Sequence, residues 1–477
     1  MPDSGNQSIH KDESTNLSRL GKTSPILSYF CVYNPSLSQS EENTKDQILY
    51  YTAKKAVSAD LKIKQVGLAQ ALVNFTSTFS PSHPTQNVHS QKNRMVFLQP
   101  EPGFWMHMCV ELGIHRRQIK DSKGKEKLVT EYLDSQLNDK ALEAVLKIGY
   151  EQFKLLNGTF SSILYGPEHS EQPTRQRTRS LMHAIEEFFS DWIWKWDFDR
   201  LDLMCFTALF NGVPIQSILR TNYLKIHNLE ESIKSNFEQH IHHLFILQME
   251  DGSLVYKSPD LSIEDICALR KYVIKRVENH AKSEKRKADI EMTSKKNSNS
   301  KVSGFKQFTK SLPQSHILSY FSLGGGSRST ETVSSSSITE SNSTTSTADI
   351  PSIHSGTDTS DRKGIYLTGL IESTAIGMNG EERSVTKSNL VRVYISSVIN
   401  GNPTYQKDKE LHDYYLLVYK HKSNLVWNFL LPATSETEAV LSSPTFYTDL
   451  EHYMKEKDLD QLTNTLIEDI SQMQKKK

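Results

Sequence analysis

The sequence predicts an α+β protein of three similar units, each an antiparallel sheet flanked by helices, with a long disordered insert before the last unit. Three observations carry this. The order strand, strand, helix, three strands, helix is legible over residues 25–160. Two strands, a helix, a hairpin and a helix follow over 179–281. From Ser327 to Ser360 more than half the residues are Ser or Thr and none is aromatic. Such a stretch cannot bury enough apolar area to offset its ordering entropy. The division that follows is a disordered N-terminus at 1–24 and units at 25–160, 179–281 and 362–477. A disordered segment, basic and then Ser/Thr-rich, fills 282–361 and suits phosphorylation.

The elements of the first unit follow from local patterns. Ile26–Tyr33 and Ile48–Tyr51 read as strands. Asp60 is placed to cap a helix running to Phe79. Leu68, Leu72, Phe75 and Phe79 recur on one helical face, and Val66, Ala69 and Val73 widen it, so the helix should be buried over more than half its girth. Pro81 cannot continue that helix. Met95–Leu98 is a short apolar strand. Phe104, Met106, Met108 and Val110 alternate with Trp105, His107, Cys109 and Glu111, which predicts a strand over 104–114. Another strand is expected over Glu126–Tyr132, then a helix marked by Leu137, Ala141, Val145 and Ile148.

Residues 161–178 read as a polar connector. In the second unit Leu181, Ile185, Phe188, Trp192 and Trp196 fit one helical face. Strand-like runs at 201–210 and 213–218 lead to a helix over 221–237. Asp251-Gly252 is a strong hairpin turn between His243–Met249 and Ser253–Tyr256. A helix over Ile263–His280 closes the unit. The last unit opens at Gly364–Ile371. It continues with strands at 390–399, 412–420 and 424–431 and helices at 436–455 and 458–474, with no obvious helix between its early strands.

Composition excludes several classes. The 56 basic and 56 acidic residues cancel, which argues against a dedicated nucleic-acid binder. A hydrophobic content of 36% falls below the roughly 45–50% of globular chains, and the polar insert accounts for the deficit. Cys31, Cys109, Cys205 and Cys267 form no CxxC pair, so neither a zinc site nor a disulfide framework is supported and a reduced cytosolic chain is expected. Residues 1–24 lack the apolar core of a signal peptide. No run approaches the length of a spanning helix, so any membrane role is peripheral. Phosphate-binding loops and nucleophile elbows are missing in strand-to-helix context, so no catalytic residue, metal or cofactor is assigned.

Between Val66 and Met108 the polar residues carry no catalytic spacing, which is the pattern of a protein-binding surface. Here the chain resembles the Ccz family, the longin-type subunit of the Mon–Ccz complex. The carrying segments are Leu27-Ser-Tyr-Phe-Cys-Val-Tyr-Asn-Pro35, Ile48-Leu-Tyr-Tyr51, Val66-Gly67-Leu68, Phe75-Thr-Ser-Thr-Phe-Ser-Pro-Ser82, His89-Ser-Gln-Lys-Asn-Arg94 and Phe104-Trp105-Met106. Leu155-Leu-Asn-Gly-Thr-Phe160 and Thr221-Asn-Tyr-Leu-Lys-Ile226 extend it. The resemblance implies three longin-like domains. It also implies guanine nucleotide exchange toward the late-endosomal and vacuolar Rab GTPase, by a heterodimer with a Mon-like longin subunit. That activity would support endosome maturation, vacuole fusion, vesicle transport and autophagy, by a cytoplasmic protein recruited peripherally to late-endosomal and vacuolar or lysosomal membranes. The rival is a trafficking scaffold or adaptor without exchange activity. On either reading the helix core is ordinary packing, and its polar neighbours Asn74, Thr78, Ser80, Pro81, Ser82, Gln91, Lys92 and Asn93 are the candidates for GTPase or partner contact.

Three further groups stand out. His240, His242 and His243 lie close in sequence, but strand spacing separates 243 from the others and structural packing is expected. Trp192 and Trp196 share a face with Phe188 and read as core rather than as a membrane-seeking cluster. Val302–Leu323 sets Phe305, Phe308, Tyr320 and Phe321 in basic, polar sequence. Its readings are a segment on an anionic lipid surface, aided by Lys301, Lys306 and Lys310, a short linear motif, or a loop folded back on the protein. Gln314-x-x-Ile317-x-x-Tyr320-Phe321 matches a sliding-clamp box, and Tyr320-x-x-Leu323 an autophagy-adaptor pattern.

Overall fold

A computed structural model of the chain describes residues 21–38, 41–81, 85–120, 126–166, 173–201, 212–237, 240–297, 364–376, 382–396 and 411–475. Short β1 (Gly21–Lys22) precedes β2 (Ile26–Tyr33) and β3 (Ile48–Ala53). Helix α1 (Ala59–Phe79) follows, then β4 (Asn87–His89), β5 (Asn93–Glu101) and β6 (Phe104–Glu111). Strands β2–β6 form one antiparallel sheet in the order β3-β2-β6-β5-β4. The period-two alternation sends Phe30, Val32, Met106, Met108 and Val110 to one face. Cys31, Tyr33 and Phe97 line the other, beneath α1.

Two expectations about this sheet need correction. The strand over 104–114 ends at Glu111, and the strand over 126–132 is not in the sheet. Instead β7 (Gly113–Lys120) and β8 (Glu126–Leu133) pair with each other and with β1 as a separate ribbon. At Gly113, where the ribbon begins, a Cβ would lie 2.3 Å from Gln136 Oε1 and 2.6 Å from the Thr23 carbonyl, so the chain passes close to both. The third strand after the helix is the unforeseen β4.

Helix α2 (Asp139–Asn157) starts at Asn138, whose side chain accepts from the amides of Lys140 and Ala141. It is enclosed, with eleven buried residues between Ala141 and Leu155. Helix α3 (Phe160–Tyr165) occupies the start of the expected connector. Buried Glu101 holds it by accepting from the Phe160 amide at 2.6 Å, the Ser161 amide at 2.8 Å and the Tyr150 hydroxyl at 2.7 Å. In α4 (Arg175–Trp192) the expected face of Leu181, Ile185, Phe188 and Trp192 is buried. It packs with Trp196 into the core of the first sheet. Gly149 of α2 makes room for this: a Cβ there would lie 2.8 Å from the Trp192 ring.

The second sheet joins distant parts of the chain. Helix α5 (Arg220–Asn236) precedes β9 (His243–Gln248) and β10 (Leu254–Lys257), whose turn holds Gly252 at φ +67°. Helix α6 (Ile263–Asn297) continues past the expected stop at His280, so residues 282–297 are helical. Then come β11 (Ile365–Tyr366), the hairpin of β12 (Gly369–Ile376) and β13 (Glu382–Asn389), β14 (Arg392–Ser396), β15 (Leu411–Lys420) and β16 (Leu425–Pro432). Helices α7 (Ser435–Ser442), α8 (Pro444–Glu456) and α9 (Leu459–Lys475) close the chain. Sheet order is β10-β9-β16-β15-β11, with β14 also on β15. The units expected at 179–281 and 362–477 therefore share one sheet.

Both faces of that sheet are covered, so Leu425–Leu431 is apolar on both sides apart from buried Asn428, whose amide donates to the Phe245 carbonyl at 3.2 Å. Ile246, Trp427 and Phe429 face α5, α8 and α9. Phe245, Leu247 and Val426 face α6. Of the strand expected at 213–218 only a single bridge forms, Ile215 to Leu254. The run at 201–210 lies outside the described residues. The two sheets meet at α2, where Gln152 Nε2 donates to the Ala268 carbonyl at 3.0 Å and Glu151 pairs with Lys271 at 3.3 Å.

Candidate protein-interaction face

Helix α1 begins differently from expectation. Ser58, not Asp60, is its cap: the Ser58 hydroxyl accepts from the Leu61 amide at 3.3 Å, and Asp60 sits in the first turn. Its inner contact is narrow. Only Val66, Ala69 and Val73 are buried, at i, i+3 and i+7. The sheet beneath already carries Tyr33, Phe97 and Trp105, so small helix residues fit there and large ones do not.

Polar groups fill the rest of this layer. The Tyr51 hydroxyl donates to Gln65 at 2.5 Å, and Gln70 Nε2 donates to Gln47 Oε1 at 2.8 Å. His107 is fully buried, 3.4 Å from the Tyr29 hydroxyl, and its Nδ1 has no hydrogen-bond partner. Burial alone lowers its pKa to about 3. Burial likewise raises the Cys31 thiol, and raises Cys109 to about 12, so neither is a thiolate nucleophile at neutral pH.

The outward stripe is the larger surprise. Leu68 is 51% exposed, Phe75 64% and Phe79 75%, with Leu61 exposed beside them. Leu68, Phe75 and Phe79 were expected as core. They form instead an outer apolar face, where Phe75 and Phe79 stack edge to face at 5.0 Å. Leu72 lies between the two faces and touches the inner layer.

The polar candidates fall into two groups on one side of the domain. Gln65 bonds to β3 and Val73 packs on β5, so α1 crosses the sheet toward the β4 edge. Asn74 and Thr78 are exposed on its last turns, and the Thr78 hydroxyl donates to the Phe75 carbonyl at 2.5 Å. The Ser80 amide closes the helix on Thr76 at 3.0 Å, Pro81 is exposed, and Ser82 lies outside the described residues. Gln91 and Lys92 project from the β4–β5 turn and Asn93 is half-buried. Ser90 and Asn93 lock that turn through three hydrogen bonds, and the Lys92 carbonyl accepts from the Leu112 amide at 2.9 Å.

The sequence reading missed the group behind this turn. Arg94 is buried and ion-pairs with Asp139 and, at 2.6 Å, with Asp134. His89 Nε2 lies 2.9 Å from Asp139. A lone arginine in an apolar strand was the available signal, since a buried guanidinium needs carboxylate partners.

Other singled-out groups are structural. His242 and His243 both pack on Tyr414, and burial followed by the nearby His242 and Lys234 lowers His243 to about 4. Trp192 and Trp196 are buried, and Trp194 Nε1 donates to Thr52 at 3.3 Å. Among the described residues no cluster is placed to hold a metal ion, and no helix is long and apolar enough to cross a membrane. Phe305, Phe308, Tyr320 and Phe321 lie outside the described residues.

Residues 27–158, which contain α1 and the β4–β5 turn, match the family model described as the first longin domain of INTU, CCZ1 and HPS4. A vacuolar fusion protein CCZ1 homolog of Nematostella vectensis is 32% identical over 247 residues, 50% of each chain. The chain is a relative of the CCZ1 proteins. The CCZ1 homolog of Xenopus laevis is 32% identical over 244 residues, 49% of this chain and 48% of its own. That of Dictyostelium discoideum is 28% identical over 214 residues, 44% and 43% of the two chains. The match spans about half the length of these CCZ1 relatives. It bears out the family resemblance, and the first sheet is the longin part of the chain.

Proposed function

We propose that this chain is one subunit of a heterodimeric guanine nucleotide exchange factor for the late-endosomal and vacuolar Rab GTPase, with a Mon-like longin subunit docked on the outer face of α1. The carrying observation is that α1 is apolar on both sides. A helix of that kind belongs in an interior, and here a sheet covers one side only. The relatives' description as vacuolar fusion proteins supports the setting. The protein would be cytoplasmic and reach late-endosomal and vacuolar or lysosomal membranes peripherally.

No covalent step is needed. A surface that binds the nucleotide-free GTPase more tightly than the loaded form lowers nucleotide affinity by differential binding alone. Asn74, Thr78, Ser80 and Pro81 with Gln91, Lys92 and Asn93 are the GTPase-contact candidates, since they flank the apolar stripe without lying in it. Nucleotide release from the Rab should be slow with either subunit alone and fast with both. Robust release by this chain alone rejects the two-subunit reading. No release by the assembled pair leaves a non-catalytic scaffold or adaptor.

A further inference from the structure

Asp139, at the start of α2, grips both ends of the β4–β5 turn. His89 precedes that turn and Arg94 follows it, and the two are direct partners across the ladder. Both therefore point to one face of the sheet. A single carboxylate meets them there. One Asp139 oxygen pairs with Arg94, and the other lies 2.9 Å from His89 Nε2. Asp134 adds a second hold on Arg94 at 2.6 Å and stands 3.9 Å from His89 Nδ1. Arg94 also donates to the Leu137 and Asp134 carbonyls, each at 3.4 Å.

The turn needs such a hold. Strand β4 has three residues, lies at the sheet edge and pairs with β5 alone. The bonds between Ser90 and Asn93 fix the turn's shape but not its direction. The bond from the Leu112 amide to the Lys92 carbonyl secures the β5 side alone. Helix α2, by contrast, is fixed by eleven buried residues. The clamp thus ties a weakly held turn to the best-anchored helix of the domain.

Stability alone does not account for this group. A buried ion pair recovers roughly what its desolvation costs, and apolar residues of similar volume hold a fold as well. What the pair does supply is one arrangement. Arg94 is 2% exposed, and among the described residues only Asp134 and Asp139 pair with it. Shifting the turn would pull a buried charge off its partners, which is costly.

We infer that Asp139 is a positioning residue for nucleotide exchange: through His89 and Arg94 it sets the pose in which Gln91 and Lys92 meet the GTPase. This rests on the contact role proposed above for that turn, and it adds the start of α2 to the exchange machinery. Asp139 does no chemistry. It removes freedom that the turn would otherwise lose on binding.

Nucleotide release from the Rab by the assembled pair of subunits tests this with Asp139→Ala. His89→Ala covers the case in which that variant does not fold, since the His89 side chain is nearly half exposed. Asp139→Ala should lower kcat/KM on the order of tenfold and His89→Ala about threefold, with affinity for the partner subunit unchanged. In a Gln91→Ala, Lys92→Ala background neither should lower exchange further, because a positioning residue acts only through what it positions. Protection of the Ser90 and Asn93 amides against hydrogen exchange should fall in both variants. Losses that repeat in full in that background, or unchanged amide protection, overturn the inference and leave the ion pairs a structural role. Wild-type exchange by both variants, where Gln91→Ala with Lys92→Ala is slow, overturns it and keeps the contact role of the turn. Wild-type exchange by the Gln91→Ala, Lys92→Ala pair removes that contact role and the inference with it.

Discussion

His107 couples the first domain to pH with a definite sign. Its native pKa is about 3, against about 6.5 when unfolded, because burial disfavours the imidazolium. The unfolded chain therefore takes up the proton first. The stability that depends on a neutral His107 is complete above about pH 6.5 and falls by about 1.4 kcal/mol per pH unit until about pH 3. Between pH 7 and 5 the loss should be on the order of 2 kcal/mol, read as a lower melting temperature, and His107→Gln should shrink it. His243, lowered to about 4, adds a change of the same sign in the second sheet, so part of the slope should persist. Exposed residues should behave otherwise. Gln91→Ala with Lys92→Ala should slow exchange while stability stays within about 0.5 kcal/mol. Unchanged exchange removes this pair from the contact. Their neighbour Arg94 should not tolerate Ala: the loss should be on the order of 2 kcal/mol, moderated because Asp134 is more than half exposed.

Among elements, α1 carries the sharpest test. Phe75→Ser with Phe79→Ser touches no core, so the melting temperature should hold while affinity for the partner subunit drops tenfold or more, as buried aromatic anchors do. Val66→Asp should instead unfold the domain by leaving a carboxylate unpaired under the helix. Equal partner binding by the Phe75/Phe79 variant would show that the outer stripe is not the dimer face. The length of α1 was legible because Pro81 and the apolar period mark it. Its buried side was not. Periodicity locates apolar residues without saying which face meets a sheet already filled by Phe97 and Trp105. The strands β7 and β8 were likewise half legible. Their separation from the first sheet into a ribbon of their own is a pairing that no periodicity records.

In the whole molecule, α2 is the shared wall: its faces meet the first sheet, α4 and the α6 side of the second sheet. A chain of residues 21–160 lacks the Trp192 layer and should not fold alone, whereas one of 21–201 should. Trp192→Ala should cost about 3–5 kcal/mol. Cooperative melting of the 21–160 chain would show that α4 is not needed. The family portion was legible because it is local in sequence; the second sheet was not, because β9 pairs with β16 across the Ser/Thr-rich insert. That pairing has a consequence during synthesis. At roughly 5–20 residues per second, the ribosome needs on the order of 10–40 s to add residues 249–424 after β9 has emerged. For that interval one edge of the strand His243–Gln248 has no neighbour, and Phe245 and Leu247 lack the cover that Val426 and its strand later supply. The nascent chain thus passes through a stage in which a sticky, half-built sheet waits for its missing centre, and it is then that a chaperone would have most to hold.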